Sequence, residues 1–178
     1  MEKIIASSLS QQIRKIKKQP GAYRWWFPKE EAKELWKHFK NEMLEKNFKL
    51  QEREIDGEPY IAMYYGISNN MRNRICNHLF GPFRSSTFRK TLGSIIATNK
   101  DSMESLADKV DKLIDKCYWE YGYVDSKKEA ENNETKELKK NAYPLNIDKN
   151  RTVTKDWKDY LTDLRNGLDE RFKQTKTK

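Results

Sequence analysis

The chain has 178 residues, enough for one domain with a small appendage, and although only 36% are hydrophobic, five Trp, nine Tyr and seven Phe supply the bulk of a core. Lys and Arg total 36 against 27 Asp and Glu, a formal charge of +9 that points first to nucleic acid as partner, with anionic membrane and plain solubility as the rival readings. No apolar run approaches the roughly 20 residues that span a bilayer, and "MEKIIASSLSQQIRKIKK" lacks the continuous apolar stretch of a signal peptide, so the expectation is a cytoplasmic protein whose Cys76 and Cys117, on apolar faces and without metal-ligand spacing, are buried free thiols.

Along the chain, Ser7 or Ser8 caps a short helix with Leu9, Ile13 and Ile16 inward, and "QPG" ends it. "GAYRWWF" reads as an aromatic-rich strand. Pro28 suits the first turn of a helix, and Ala32, Leu35, Trp36, Phe39 and Met43 carry helical spacing to about Lys46. An extended stretch from Phe48 to Ile55, the turn "DGEP" and the strand "YIAMYYG" follow. Ser68 or Asn69 caps the next helix, with Met71, Ile75 and Leu79 buried. Ser85 or Ser86 caps another, with Phe88, Leu92, Ile95 and Ile96 inward. Asp101 and Glu104 form a capping-box pattern before a helix that buries Met103, Leu106, Val110, Leu113 and Ile114. "CYWEYGYV" is a further strand, Ser126 opens a charged helix to about Asn141, and a last helix from about Thr154 to Phe172 buries Trp157, Leu161, Leu164 and Leu168. This order predicts an α+β domain: a small sheet of three or so strands, antiparallel or mixed, flanked by helices. Residues 1–150 make the main domain, and 151–178 supply a helix and basic tail packed on it.

Three features carry possible chemistry. Asn70, Arg74 and His78 lie four apart on a helix row bordering the buried line. An arginine at such a rim is a bidentate phosphate clamp, and a histidine one turn on can donate to an oxyanion or move a proton. The plainer reading is a solvated basic face. Secondly, the row Ala130, Glu134, Leu138 aims a carboxylate at the core. An inward carboxylate requires a cation, either a basic side chain or a metal such as Mg²⁺, which takes one or two protein carboxylates and fills its shell with water and phosphate oxygens. Thirdly, Tyr23 and Tyr64 stand near Gly21 and Gly66 in neighbouring predicted strands. A phenol acts as a base only where a cation eases loss of its proton; otherwise tyrosine is simply a common strand residue.

Together these motifs resemble the GIY-YIG nuclease family. "PGAYRWW" is similar to its GIY strand and "YYGISNNMRNRI" to its YIG strand and following helix. Arg74 stands ten positions after Tyr64, as the family's arginine does, and His78 four later. "ETKELKKNAYPLN" is similar to its late acidic helix, with Glu134 in the place of the metal-binding acid and Asn146 in that of the closing asparagine. The departures are about forty residues between Tyr23 and Tyr64, where a short loop is usual, and Ile67 where some members carry lysine. The segment of about 28–58 is therefore an insertion, a flap or DNA-contacting arm.

The resemblance implies hydrolysis of DNA phosphodiesters with one Mg²⁺ or Mn²⁺ held by Glu134. It implies charge neutralisation by Arg74, a tyrosine base, His78 positioning a tyrosine or phosphate, and Asn146, Gly21 and Gly66 as structural supports. Between the phenols the expectation falls on Tyr23, because Ile67 leaves Tyr64 without a cationic helper. Further phosphate contacts are expected from Asn70, Arg72, Arg84, Arg89, Lys90 and Lys127. The alternatives are a nucleic-acid-binding module without catalysis and a helical adaptor using the Trp36 and Trp157 faces. Both a monomer and a homodimer fit the sequence.

Overall fold

Alternation along "GAYRWWF" sets the centre of the molecule. Strand β2 (Gly21–Pro28) turns Tyr23, Trp25 and Phe27 to one face and Ala22 and Trp26 to the other, and all five are buried. It can be aromatic on both faces because helices cover both. The computed structural model describes residues 1–37, 50–150 and 153–174. In it, β2 lies in the middle of a five-stranded antiparallel sheet of order β1 (Glu2–Ile5), β5 (Tyr118–Tyr123), β2, β4 (Glu58–Ser68), β3 (Glu52–Ile55).

The sheet is thus wider than the expected three or so strands. β1 is the strand that the sequence hid, since four half-exposed residues are too few to show a period. β3 belongs to the insertion. It pairs with β4 through a two-residue Asp56–Gly57 turn, both residues left-handed at φ 53° and 84°, the hairpin geometry that Asp-Gly favours. The GIY-like and YIG-like strands pair directly despite the intervening residues, with Tyr23 opposite Gly66.

Seven helices are described: α1 (Ala6–Gln12), α2 (Lys29–Lys37), α3 (Met71–Phe80), α4 (Thr87–Ile96), α5 (Met103–Ile114), α6 (Lys127–Lys140) and α7 (Lys155–Gln174). The larger core joins Tyr23, Trp25, Phe27 and Trp119 of the sheet to residues of α3, α4, α5 and α7. A smaller core on the opposite face packs Ala22, Trp26, Ala62 and Tyr65 against Leu138 of α6 and Tyr143. Among the described residues no helix is long and apolar enough to cross a membrane.

Several local expectations change. Pro28 ends β2 instead of opening the helix, which starts at Lys29; the part of that helix expected beyond Lys37, with Phe39 and Met43, lies outside the described residues. Asn70, not Ser68 or Asn69, caps α3 by accepting from the Asn73 N–H at 3.0 Å. Ser68 is occupied with Asn70's own backbone, accepting from its N–H and donating to its carbonyl. Ser102 caps α5 in place of an Asp101–Glu104 box, because the Asp101 carboxylate is taken by Thr98 and Lys109. Met103 is exposed, and Leu113 only partly buried. Both cysteines are free, but Cys76 is only partly buried. Ser86 and Ser126 cap α4 and α6 as the sequence indicated.

β3 covers β4 only from Glu58 to Ile61, so the other half of β4 needs partners elsewhere. The segment after α6 supplies them. Leu145 N–H donates to Met63 O at 2.9 Å. The buried Asn146 amide then takes both backbone groups of Tyr65, its Oδ1 accepting from N–H at 2.8 Å and its Nδ2 donating to C=O at 2.7 Å. α7 is anchored just beyond, where the buried Trp157 donates from Nε1 to Pro144 O at 2.7 Å. Trp157 is therefore core, which removes it from the adaptor reading.

Asn146→Ala strips both groups of Tyr65 of their partner. The expected loss is about 1–3 kcal/mol for each group left unsatisfied, read as a lower denaturation midpoint with unchanged m-value. A midpoint equal to that of the unaltered chain would show that the clasp contributes nothing.

Candidate active site

One cleft of about 330 Å³ opens beside the half of β4 that β3 leaves uncovered. Its walls include Tyr23 from β2, Tyr64 and Gly66 from β4, Arg74 from α3, Glu134 from α6 and Asn146 from the following loop. Residues separated by more than a hundred positions thus meet, because β2 and β4 pair directly and the segment after α6 is clasped to the edge of β4.

Gly66 is required by close approach. A Cβ there would lie 2.4 Å from the Tyr23 hydroxyl, so the phenol lies against bare backbone. Gly21 is hemmed in similarly, with Gly122 O and the Met71 side chain within 2.8 Å of a built Cβ.

Behind Tyr23 runs a buried polar chain. His78 is 1% exposed and reaches Ser86 Oγ through Nδ1 at 2.7 Å and Tyr23 Oη through Nε2 at 2.8 Å. Burial, reinforced by Arg74 and Arg89, holds its pKa well below the ordinary value, so the ring is neutral and carries a single N–H. Tyr23 is pushed well above an ordinary phenol, first by burial and then by Tyr64, with Arg74 opposing. Tyr64 is also raised by burial, but Arg74 and Arg165 both pull it back. Its ring lies 6.3 Å from that of Tyr23, centroid to centroid. Ser86, His78 and Tyr23 thus form a buried hydrogen-bonded chain, with Tyr64, the less buried of the two phenols, beside its end.

Arg74 lines the cleft with no ion-pair partner among the described residues, and its buried Nε has no hydrogen-bond acceptor. Glu134, with 14% of its side chain exposed, is paired with Lys149 Nζ at 2.7 Å. Of the two cation sources that the sequence left open, a basic side chain is therefore present. Among the described residues no three His, Cys, Asp or Glu side chains cluster as a closed metal cage. Glu134, with Asp148 lining the same cleft, instead fits a hard cation that takes one or two carboxylates and leaves the rest of its shell to water and phosphate.

Other expected residues turn out to hold the fold together. His78 does not line the cleft; it orients Tyr23 from behind. Asn70 is a helix cap. Arg72 spends its guanidinium on Ile16 O at 2.6 Å and Arg14 O at 2.7 Å. Arg89 is 3% exposed and binds His78 O, Leu79 O and Asp111, so it cannot meet DNA. Lys90 is paired with Asp169 of α7. Arg84 and Lys127 are exposed, Lys127 within 3.5 Å of Glu131.

The sequence reading missed Lys149 and Arg165, which both line the cleft. Arg165 had a usable signal: it lies four after Leu161 and three before Leu168, within the buried stripe of α7, as Glu134 lies within that of α6. Lys149, in a loop, had none.

A family model described as the GIY-YIG catalytic domain matches residues 21–167, the span that contains every cleft residue named above. No curated protein and no solved structure matches the chain.

Below pH 6.5 the unfolded chain takes up a proton on His78 that the folded chain refuses, so stability falls with falling pH, by up to about 1.4 kcal/mol per pH unit. Thermal midpoints recorded between pH 7 and 5 should drop more steeply for the natural chain than for His78→Gln. Parallel slopes would remove the neutral, buried histidine.

Proposed function

The chain belongs to the GIY-YIG family, and on that premise we propose that it is a metal-dependent endonuclease that hydrolyses DNA phosphodiester bonds with one Mg²⁺ or Mn²⁺ at the cleft. The observation that carries this reading is the meeting in one cleft of two phenols, a guanidinium without a carboxylate partner and an inward carboxylate.

Glu134, with Asp148 beside it, is the group to hold the cation. When bound, the ion would polarise the scissile phosphate and stabilise the leaving 3′ oxygen. Lys149 now holds that carboxylate and would have to yield to the ion; more than half of its side chain is exposed, so it can swing into water. Arg74 takes the scissile phosphate, its rigid fork matching two phosphate oxygens as negative charge builds.

The geometry favours Tyr64 over Tyr23 as the base. Tyr23 is 1% exposed, and its charged form is opposed by burial and by its neighbour. Tyr64 is the less buried of the two phenols that line the cleft and feels two guanidiniums, each of which favours the phenolate that receives a proton from the attacking water. Tyr23 and His78 are then positioning residues. Arg84 and Lys127 remain as outer contacts to the DNA backbone. A binding module without catalysis would leave the two phenols beside an inward carboxylate without a task.

Cleavage of supercoiled plasmid with Mg²⁺ tests the reading, with chelator as the blank. Arg74→Ala should lower the rate by about 10²–10³-fold and Tyr64→Phe by about 10²–10⁴-fold. Tyr23→Phe, which removes the hydroxyl bonded to His78 and leaves the base in place, should cost only about tenfold. Glu134→Gln should abolish the metal-dependent component. Undiminished nicking by both the Arg74 and Glu134 variants would sink the proposal, and equal losses at the two tyrosines would sink the choice of base.

A further inference from the structure

Arg165, like Arg74, is a partly buried arginine with no carboxylate partner among the described residues. It projects from α7 into the wall of the cleft, partly buried. Its Nε and Nη2 both donate to Thr91 Oγ1, at 2.8 and 2.5 Å, and Thr91 passes its own proton to Thr87 O at 2.7 Å. Among the described residues no carboxylate lies within ion-pair distance of it; Asp148 acts only from farther off. Nη1 has no acceptor among the described residues. Arg24 and Arg89 make the contrast, each holding a carboxylate, Glu120 at 3.2 Å and Asp111 at 2.5 Å.

A cation withdrawn from water without a counter-charge is costly. A rigid hydroxyl clamp on one side of its fork restrains the guanidinium before any ligand arrives, so less freedom is lost on binding. Both facts describe a site whose missing partner is an anion. Arg74 already accounts for one phosphate. Even with Lys149 swung away, Arg74, Arg165 and a divalent ion set against Glu134 and Asp148 would carry more positive charge than a single phosphodiester can neutralise.

We propose that Arg165 is a second phosphate-binding residue of the cleft, taking through Nη1 the backbone phosphate next to the scissile one. The identity of the ligand as a nucleic-acid backbone rests on the nuclease reading; the need for an anion does not. The C-terminal helix would then be part of the substrate-binding wall.

The test is binding of a fluorescent DNA duplex by anisotropy in chelator, where no cutting occurs, over 50–200 mM salt. Arg165→Gln should weaken binding by roughly tenfold or more, as for a lost charge-assisted hydrogen bond, and make the log–log salt slope shallower by about 0.9. Arg165→Lys should restore the slope but not the full affinity, because a point charge lacks the planar fork. Thr91→Val keeps the charge and loosens its aim, and should weaken binding with no change of slope; it serves if Arg165→Gln melts too low to assay. Unchanged affinity and slope in folded Arg165→Gln would overturn the proposal, and a shifted pH profile of cleavage alongside them would confine Arg165 to its effect on Tyr64. A natural chain that shows the Arg165-dependent slope but never cuts would support this site while removing the nuclease.

Discussion

The amide of Asn146, paired with both backbone groups of Tyr65, is the contact on which the rest of the site depends. β4 is long, and its hairpin partner β3 reaches only its first residues. An uncovered strand edge presents N–H and C=O groups that must be satisfied somewhere. One side chain does so here with the geometry of a neighbouring strand. The same clasp draws in the loop that carries Asp148 and Lys149, and Trp157 fastens α7 to that loop through Pro144. The cleft is in this sense the remainder of an edge that was closed by side chains instead of by another strand.

The two faces of the sheet handle charge in opposite ways. On the α6 face, Glu120 is 5% exposed and its charge is met by Arg24 at 3.2 Å, Arg53 at 2.9 Å and Trp26 Nε1 at 3.0 Å, although the buried Arg24 Nε itself makes no hydrogen bond. At the cleft, Arg74 and Arg165 lack carboxylate partners among the described residues, while a neutral histidine and two phenols fill the space where counter-charges would sit. Buried polar networks stabilise when every member is satisfied. An incomplete one on an open cleft marks where the fold gives up stability for an anionic ligand, and the proposed phosphate contacts meet that need.

The hydrogen-bond chain from Ser86 through His78 to Tyr23 links the cleft to the core. Ser86 caps α4 and meets His78, and Arg89, fixed to the last turn of α3, keeps that turn in place. Arg89, which looked like a DNA contact in the sequence, is therefore part of the scaffold behind Tyr23. Its charge is the same in either role; only its surroundings differ.

Periodicity and spacing in the sequence were enough to determine the α+β class and most of the helices with their buried rows; it was the resemblance to the GIY-YIG family that singled out Gly21, Gly66, Tyr23, Tyr64, Arg74, Glu134 and Asn146 as a set of expected site residues. Those signals are local: a helix row or a strand alternation depends on residues a few positions apart. What the sequence could not reveal depends on contacts between distant segments. It could not show that four residues at the start add a strand to β5, or that Arg72 and Arg89 turn inward to backbone carbonyls. Nor could it show which phenol is the more accessible, since strand alternation does not tell how deep a side chain lies. Of the two guanidiniums that act on Tyr64, Arg74 comes first, from ten residues on, and Arg165 joins it from about a hundred residues further along the chain. Only the packing of α7 against α4 brings that charge there, because electrostatic neighbours are decided by distance in space and not by separation along the backbone.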